Sequence, residues 1–438
     1  MRRTIAASAV ALLTAAAPLH AGIPAVDCLH PTVFPGAAVN VVLLPFATRT
    51  SDQKQVASAA QRLTVLMQFE TLFSILKFNE VGVVRLVANP ADIESGKCSP
   101  NNVLDMVLGR KGGAANVVMP HRGLVLVWGT LYEENGSLFV STNVRFLRRG
   151  DDESQLVKVK NIAFTTRVPA STVALPSQVL SAEQLAAIQR QFQSYATFHD
   201  NPDDGPGRPF PLDLLGNPGA GWTYWVSETR PGWIKLESSG GSYWPHGWVR
   251  LGALGGSTHT RLRSLDFIEG AVGYLRTRIG AEAGLPSASD AMQAAADTAL
   301  SRFVEGAGQD QPASAVALGL RCALRLNPAR ISSAGVNQAL GWATQARNAL
   351  PYNANLRGLA LTAQLFLAYQ GEGAAVRVTD LATAFEQAVA VEPSNPDVLN
   401  NAIAFYQLVD TAGPPGLADH LGDLAPEEIK RRLTRLRR

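Results

Sequence analysis

The sequence predicts a multidomain protein in which an α/β sandwich is followed by a small β-barrel and then by an all-α region of helical repeats. Three observations predict this order. Apolar runs of strand length alternate with helical patterns early in the chain, five of the seven tryptophans lie between Trp222 and Trp248, and helix follows helix from Ser264 onward. A length of 438 residues suits two or three domains.

The first 21 residues have the pattern of a secretory signal peptide. Arg2 and Arg3 precede an apolar stretch, and Leu19-His20-Ala21 supplies a small residue at the expected cleavage point. The stretch is shorter than the ~20 residues of a membrane span. We therefore expect cleavage near Ala21 and a periplasmic or secreted protein with no later transmembrane span; a retained membrane anchor is the alternative.

The composition excludes a mainly disordered chain, because 46% of the residues are apolar and only 17% are charged. The formal net charge is +3, and Arg2 and Arg3 supply two of the positive charges, so the mature chain is nearly neutral. A large basic surface with interleaved aromatic residues is missing from the pattern. We therefore expect no nucleic-acid partner.

Residues 37–170 are expected to form the α/β sandwich. The run from Val39 to Phe46 is rich in β-branched residues and leucine, which indicates a buried strand. Asn135-Gly136 lies between two alternating apolar runs and indicates a hairpin. The other predicted elements are a helix capped by Ser51 with apolar positions Val56, Leu63, Met67 and Ile75, a strand at Gly82–Val87, a helix at Ser99–Leu108 and a strand at Leu156–Val168.

This element order resembles that of the N-terminal domain of the TolB translocation protein and of the curli-secretion and penicillin-binding-protein-activator families. The similar features are LLPF before the long helix and LVLVWGTLYEENGSLFV at the hairpin. These families are exported envelope proteins. The resemblance implies a domain that binds or assembles and does not catalyse.

The three cysteines are Cys28, Cys98 and Cys322. An oxidising compartment would permit one disulfide, and Cys28 with Cys98 is the favoured pair because both precede the other domains. The alternative is that all three are small buried residues; Cys322 lies among apolar helix positions and is expected to be inert. No pair has metal-ligand spacing, and the acidic residues of His199–Pro209 fit a turn-rich loop, so we expect no metal and no cofactor.

Residues 171–204 are expected to form a helical linker and loop, and residues 205–256 the barrel. The barrel segment resembles the SH3-like (SH3b) domain of exported and cell-wall bacterial proteins through Gly232-Trp233-Ile234-Lys235-Leu236, Gly240-Gly241 and Gly247-Trp248-Val249. In that pattern Trp233 and Trp248 are structural residues of the barrel.

The remaining aromatic residues of the segment exceed what a small barrel can bury. They are Trp222, Trp225, Tyr243 and Trp244. One interpretation is a ligand-facing aromatic groove for extended or proline-rich peptides or for sugars. The other interpretation assigns them to the core.

Residues 262–438 are expected to form helical repeats. The predicted helices are Leu265–Ile279, Ala288–Val304, Ala313–Leu326, Val336–Leu350, Asn355–Tyr369, Asp380–Val391 and Asp397–Leu408. Phe385, Ala388, Pro393 and Tyr406 resemble the tetratricopeptide repeat, and Leu320, Ala323 and Pro328 resemble it 65 residues earlier. The resemblance implies a degenerate solenoid with a groove for peptides or proteins; a helical bundle without a groove is the alternative.

The chain ends in KRRLTRLRR, in which Ile429, Leu433 and Leu436 follow helical spacing. This amphipathic helix is expected to cap the repeats with its apolar stripe. The alternative is that its basic face binds anionic lipid or polymer of the envelope.

The sequence as a whole predicts an exported, non-enzymatic binding or scaffold protein of the cell envelope. Its partners would be envelope proteins or peptides, with peptidoglycan as a second candidate ligand for the aromatic module. The nucleophile elbow, the zinc-protease helix motif, the phosphate loop and the Cys-x-x-Cys motif do not occur. The alternative is a peptidoglycan-targeted cell-wall enzyme with an unrecognised catalytic domain within residues 37–170.

Overall fold

A computed structural model provides the structure of the chain. It describes residues 37–48, 63, 67, 81–85, 98–107, 123–135, 137–148, 156–168, 172–181, 183–187, 190, 197–203, 205–209, 222–238, 245–250, 262–278, 290–309, 311–327, 330–372, 376–411 and 426–436. The architecture combines an N-terminal mixed sheet with a C-terminal helical region. None of the described helices is long and apolar enough to cross a membrane.

The described strands form one large sheet and two small ones. The strands are β1 Val39–Leu43, β2 Ala47–Thr48, β3 Val81–Arg85, β4 Gly123–Glu134, β5 Ser137–Arg148, β6 Leu156–Val159, β7 Ile162–Thr165, β8 Thr172–Ala174, β9 Gln178–Ser181, β10 Thr197–Phe198, β11 Arg208–Pro209, β12 Trp222–Arg230, β13 Trp233–Ser238 and β14 Gly247–Arg250. The large sheet has ten strands in the order β14-β13-β12-β3-β1-β4-β5-β8, with β2 beside β4 and β9 beside β5. Its centre, β3-β1-β4, is parallel.

Strand β1 is buried on both faces, which explains its unbroken apolar sequence. Val39, Val41 and Leu43 face the large core that the sheet shares with the helices. Val42 faces the opposite side, in a small core that includes Val103 of helix α1, Pro100–Val107. The sequence predicts both elements correctly, and the Ser99 hydroxyl caps α1 by accepting a hydrogen bond from the Asn102 N–H at 3.2 Å.

The predicted hairpin at Asn135 is confirmed, since β4 and β5 pair along their whole length and Asn135 has φ of 53° at the turn. Leu63 and Met67 are helical and buried, as predicted, whereas Ser51, Val56 and Ile75 lie outside the described residues. The single strand predicted at Leu156–Val168 is wrong. It is a hairpin of β6 and β7 that reverses at Lys160, whose φ is 54°.

The strands of the tryptophan segment extend the N-terminal sheet. Strand β12 lies antiparallel to β3, with Trp222 opposite Arg85 and Trp225 opposite Gly82. Strands β13 and β14 continue outward, and the backbone of Trp248 then pairs with His199. The separate barrel expected at 205–256 is therefore not what these described strands form. Pairing with β3 covers an edge of the parallel strands that would otherwise expose unpaired backbone groups.

The helices of the C-terminal region follow the predicted spans to within three residues at each end. They are α2 Arg263–Arg278, α3 Asp290–Ala307, α4 Pro312–Arg325, α5 Ser333–Ala349, α6 Ala354–Tyr369, α7 Val378–Val391, α8 Pro396–Thr411 and α9 Pro426–Leu436. Each of α2 to α8 packs against the next helix along the chain, so the series ends with α8 against α9.

The helices form two rows, which we call the inner and outer rows. Helices α2, α4, α6 and α8 also contact one another in turn and make up the inner row. Helix α2 packs on β1, β4 and β5, α4 packs on β8, and α8 packs on β7. The inner row of this helical array therefore faces the strands, and the outer row, α3, α5, α7 and α9, lies behind it.

The two repeat signatures fall in different rows. Leu320 and Ala323 are buried in the inner helix α4, whereas Phe385 and Ala388 are buried in the outer helix α7. They are therefore not equivalent positions of one repeat, although the sequence spacing suggests it. Small and apolar residues at these spacings serve any helix that packs closely on two neighbours.

Candidate docking site on the helical array

Of the four residues of the predicted aromatic groove, Trp222 and Trp225 lie on the described strand β12, and the groove as a whole stays a prediction. Trp222 is the first residue of β12, and Trp225 is half-buried three residues further on. Since side chains alternate along a strand, Trp225 lies on the face opposite to the buried Tyr224 and Val226. Tyr243 and Trp244 lie outside the described residues.

Trp233 and Trp248 are buried and pack at the outer edge of the large sheet. The imidazole of His199 meets the Trp233 ring edge-on at 5.1 Å, and the Arg230 guanidinium lies 4.6 Å from the centroid of the Trp248 ring. The backbone N–H of each of His199 and Trp248 donates to the other's carbonyl, at 2.8 and 2.7 Å. These contacts give both tryptophans a packing role, in a sheet edge and not in a barrel.

The described cysteines differ in state. Cys98 is disulfide-bonded, and Cys28, its expected partner, lies outside the described residues. Cys322 is a free, buried thiol whose pKa is raised by burial to about 12, although the Arg278 guanidinium opposes the shift. A thiol with this pKa stays protonated at neutral pH and is a poor nucleophile.

One contact between the helical array, α2 to α9, and the strands involves the β6–β7 hairpin. In the part of the chain that the structure describes, this hairpin is a two-stranded sheet separate from the large sheet. Val157, Val159 and Phe164 are buried, and β7 packs along α8 of the inner row. We call residues 156–168, which include the hairpin and the three residues after it, the docked segment.

The side chain of Asn401, in α8, binds the backbone of the docked segment in both directions. The Thr165 N–H donates to Asn401 Oδ1 at 2.7 Å, and Asn401 Nδ2 donates to the Thr165 carbonyl at 2.9 Å. Asn401 is almost fully buried. A carboxamide used in this way replaces the pair of hydrogen bonds that a neighbouring strand would make, so it recognises extended backbone of any sequence.

Contacts on either side of Asn401 add side-chain selectivity. The ring of Phe164 lies 6.5 Å from that of Phe385, centroid to centroid, and the Arg167 guanidinium pairs with the Asp397 carboxylate at 3.6 Å. The Val168 N–H donates to the Tyr274 hydroxyl at 3.4 Å. The contacts of Phe164, Thr165, Arg167 and Val168 thus come from helices α2, α7 and α8.

A layer of aromatic and charged residues supports the site from behind. Phe385 stacks on Phe405 at 4.9 Å, and the Tyr406 hydroxyl donates to Glu386 at 2.6 Å. Arg432 of α9 reaches the same Glu386 carboxylate at 3.3 Å and Glu428 at 2.6 Å. Burial, and then the hydrogen bond to Glu386, raises the pKa of Tyr406 above its ordinary value.

Two residues of the predicted repeat signature, Phe385 and Tyr406, contribute to this support. Phe385, Ala388 and Tyr406 are buried, and Pro393 lies in the exposed turn between α7 and α8. Pro328 lies outside the described residues. Asn401 is missed by sequence reasoning, although a signal exists: it is a polar residue at a helical position that the apolar periodicity of α8 assigns to the buried side.

In the part of the chain that the structure describes, no group of three or more His, Cys, Asp or Glu side chains could hold a metal ion.

In comparisons with known proteins, no family model matches this chain, and no curated protein or solved structure matches it.

Proposed function

We propose that the protein is an exported, non-catalytic binding protein of the cell envelope whose helical array docks an extended polypeptide segment of a protein partner. The observation that carries this proposal is the two-way hydrogen bonding of Asn401 to the Thr165 backbone. The signal-peptide pattern and the disulfide of Cys98 support an oxidising compartment outside the cytoplasm.

The arrangement of the array supports a tetratricopeptide-like solenoid. Its helices pack against their neighbours along the chain in two rows, and an extended segment lies against the inner row. Recognition by a side-chain amide depends on the backbone of the ligand, while the Phe385 ring and the Asp397 carboxylate add a preference for aromatic and basic side chains. Buried amide-to-backbone hydrogen bonds of this kind are strong because water does not compete for them.

The test uses the full mature chain with residues 156–168 replaced by a Gly/Ser linker of the same length. We expect this variant to bind a fluorescein-labelled peptide of sequence LVKVKNIAFTTRV, which is residues 156–168, with a saturable rise in anisotropy. Adding Asn401→Ala should weaken the binding about 10-fold or more, because loss of a buried hydrogen-bond partner costs about 1–3 kcal/mol.

The matched control is Asn400→Ala, since Asn400 is the neighbouring residue in α8 and is exposed. It should leave the affinity unchanged. If the Gly/Ser variant does not fold, protease sites introduced at 149–155 and 169–171 would let the folded chain be cut on both sides, so that the labelled peptide can exchange with the released segment. A folded protein that binds no peptide in either format would refute the proposed function.

A further inference from the structure

We propose that the docked segment, residues 156–168, is a built-in competitor of the partner: it occupies the docking site in the free protein and must leave before an external segment binds. The external segment that fits is extended, with an aromatic residue and, three positions later, a basic residue. This inference rests on the proposed function above and adds its regulation and its ligand pattern.

The docked segment has few strand partners to hold it. Among the described strands, its hairpin pairs only with itself, and a two-stranded hairpin is marginally stable in water. Its order therefore depends on contacts with the array, among them the burial of Phe164 and the hydrogen bonds of Asn401. An element held in this way resembles a bound ligand more than a part of the sheet.

The contacts define what could replace it. The Phe164 ring lies beside that of Phe385, and Arg167 pairs with Asp397. Between them, the backbone of Thr165 is hydrogen-bonded to the Asn401 side chain. Each of these interactions can be made by another chain with the same pattern. At the turn of the hairpin, the Lys160 ammonium lies 5.3 Å from the centroid of the Tyr369 ring, so a second basic residue four positions before the aromatic one would also be accommodated.

Tethering makes the docked segment an effective competitor. A segment joined to its site by short linkers is present at an effective concentration on the order of 1 mM. An external peptide with an intrinsic dissociation constant of about 10 μM would then bind the intact chain about 100-fold more weakly. The intact protein should thus bind the peptide LVKVKNIAFTTRV far more weakly than the Gly/Ser variant does.

Two substitutions that break the same ion pair test this idea. Arg167→Ser weakens only the tethered competitor, so the intact chain should bind the labelled peptide about two- to five-fold more tightly, as a partly exposed ion pair allows. Asp397→Asn weakens the tethered segment and the free peptide alike. It should therefore leave the affinity of the intact chain unchanged and lower that of the Gly/Ser variant.

A larger effect should come from Phe164→Ala. The substitution empties the space beside Phe385, which the peptide's own phenylalanine can refill. We expect binding of the peptide to this variant at least 10-fold tighter than to the wild type, and a rise in its thermal midpoint on adding peptide that the wild type does not show. Hydrogen exchange of residues 156–168 should increase when peptide binds the wild-type chain.

The outcomes separate the two proposals. If the folded protein binds no peptide, either as the Gly/Ser variant or as the cut chain, the proposed function fails. If it binds but the wild type binds equally well, or if neither Phe164→Ala nor Arg167→Ser tightens binding, the docked segment is a fixed part of the fold. In that case the built-in competition is refuted while peptide docking stands.

Discussion

At the scale of single residues, two glycines of α2 determine how closely the first helices of the array approach. A Cβ atom at Gly270 would lie 2.3 Å from Leu300 Cγ, and one at Gly273 would lie 2.3 Å from Ala296 Cβ. Glycine inside a helix costs about 1 kcal/mol relative to alanine. The close packing of α2 on α3 offsets that cost, and it keeps α2 thin enough to lie between α3 and the sheet.

We predict that Gly273→Ala destabilises the protein despite the higher helix propensity of alanine. Ala296 Cβ is fixed to its backbone and cannot rotate away, so α2 and α3 must separate, and overpacking of this kind costs up to about 3 kcal/mol. After the gain in propensity we expect a net loss of about 2 kcal/mol in the free energy of unfolding. Urea unfolding followed by circular dichroism measures it.

The control for this prediction is Gly341→Ala in α5. Gly341 is exposed, and a Cβ there would meet nothing within 4 Å. This substitution should stabilise the protein by about 1 kcal/mol, because only the helix propensity changes. Stabilisation by both substitutions would contradict the close approach of α2 and α3.

At the scale of elements, the basic closing helix α9 caps the array, as one of the two interpretations of its sequence predicts. Ile429 is buried and Leu436 packs against the core, while the side chain of Leu433 is not described. Glu428 accepts hydrogen bonds from Arg432 and Arg431, which lower its pKa to about 2. Arg432 also pairs with Glu386 of α7, so this group of charges joins two outer helices.

The lowered pKa of Glu428 predicts a dependence of stability on pH. A carboxyl whose pKa is lower in the folded state stabilises that state above its ordinary pKa of 4.5, and the effect is lost as the pH falls towards 2. We expect Glu428→Gln to lower the thermal midpoint at pH 7 and to lose less stability than the wild type between pH 7 and pH 3. Scanning calorimetry at both pH values gives the comparison.

Glu427→Gln provides the matched control, because Glu427 lies on the same turn of α9 but is highly exposed, with Lys430 as its partner at 3.5 Å. It should retain the pH dependence of the wild type. If the wild type, Glu428→Gln and Glu427→Gln all lost the same stability between pH 7 and pH 3, the hydrogen bonds of Glu428 would not hold α9 in place.

Several elements could be predicted from the sequence because their signals are local. The burial of β1 on both faces, the turn at Asn135 and the 3.6-residue periodicity of α2 to α8 depend on residues close together in the chain. The pairing of β12 with β3 joins residues far apart in sequence and leaves no local mark. The Gly-Trp pattern, which predicts a barrel, fits any antiparallel strands with tight turns. It therefore could not show that β12 pairs with β3.

The candidate site was less predictable than the helices that carry it. Phe385 and Tyr406 are buried helix residues, but their spacing in the sequence does not tell the inner row from the outer row. That distinction depends on which helices contact strands. Asn401 acts on Thr165, 236 positions away, and such a partnership follows only from the assembled fold.

At the scale of the whole molecule, the sheet and the array share one apolar core. The Phe146 ring of β5 lies 6.3 Å from that of Phe267 and 6.2 Å from that of Tyr274, both in α2. The same core continues through the sheet residue Val39 and the outer-row residue Phe385 to Ile429 of α9. The sequence predicts separate modules, but a shared core of this kind couples their stability.

This coupling predicts that the sheet and the array unfold in one transition. Six of the seven tryptophans precede the array, so in a Trp342→Phe variant the intrinsic fluorescence reports only the N-terminal part, while circular dichroism at 222 nm reports mainly the helices. The two thermal midpoints should coincide, because neither part keeps its core when the other unfolds.

Leu275→Ala removes a buried side chain next to Gly123, where α2 meets the sheet. It should lower both midpoints equally and reduce the free energy of unfolding by about 2–5 kcal/mol. Two separate transitions, with only one of them shifted by Leu275→Ala, would restore the modular organisation that the sequence suggests.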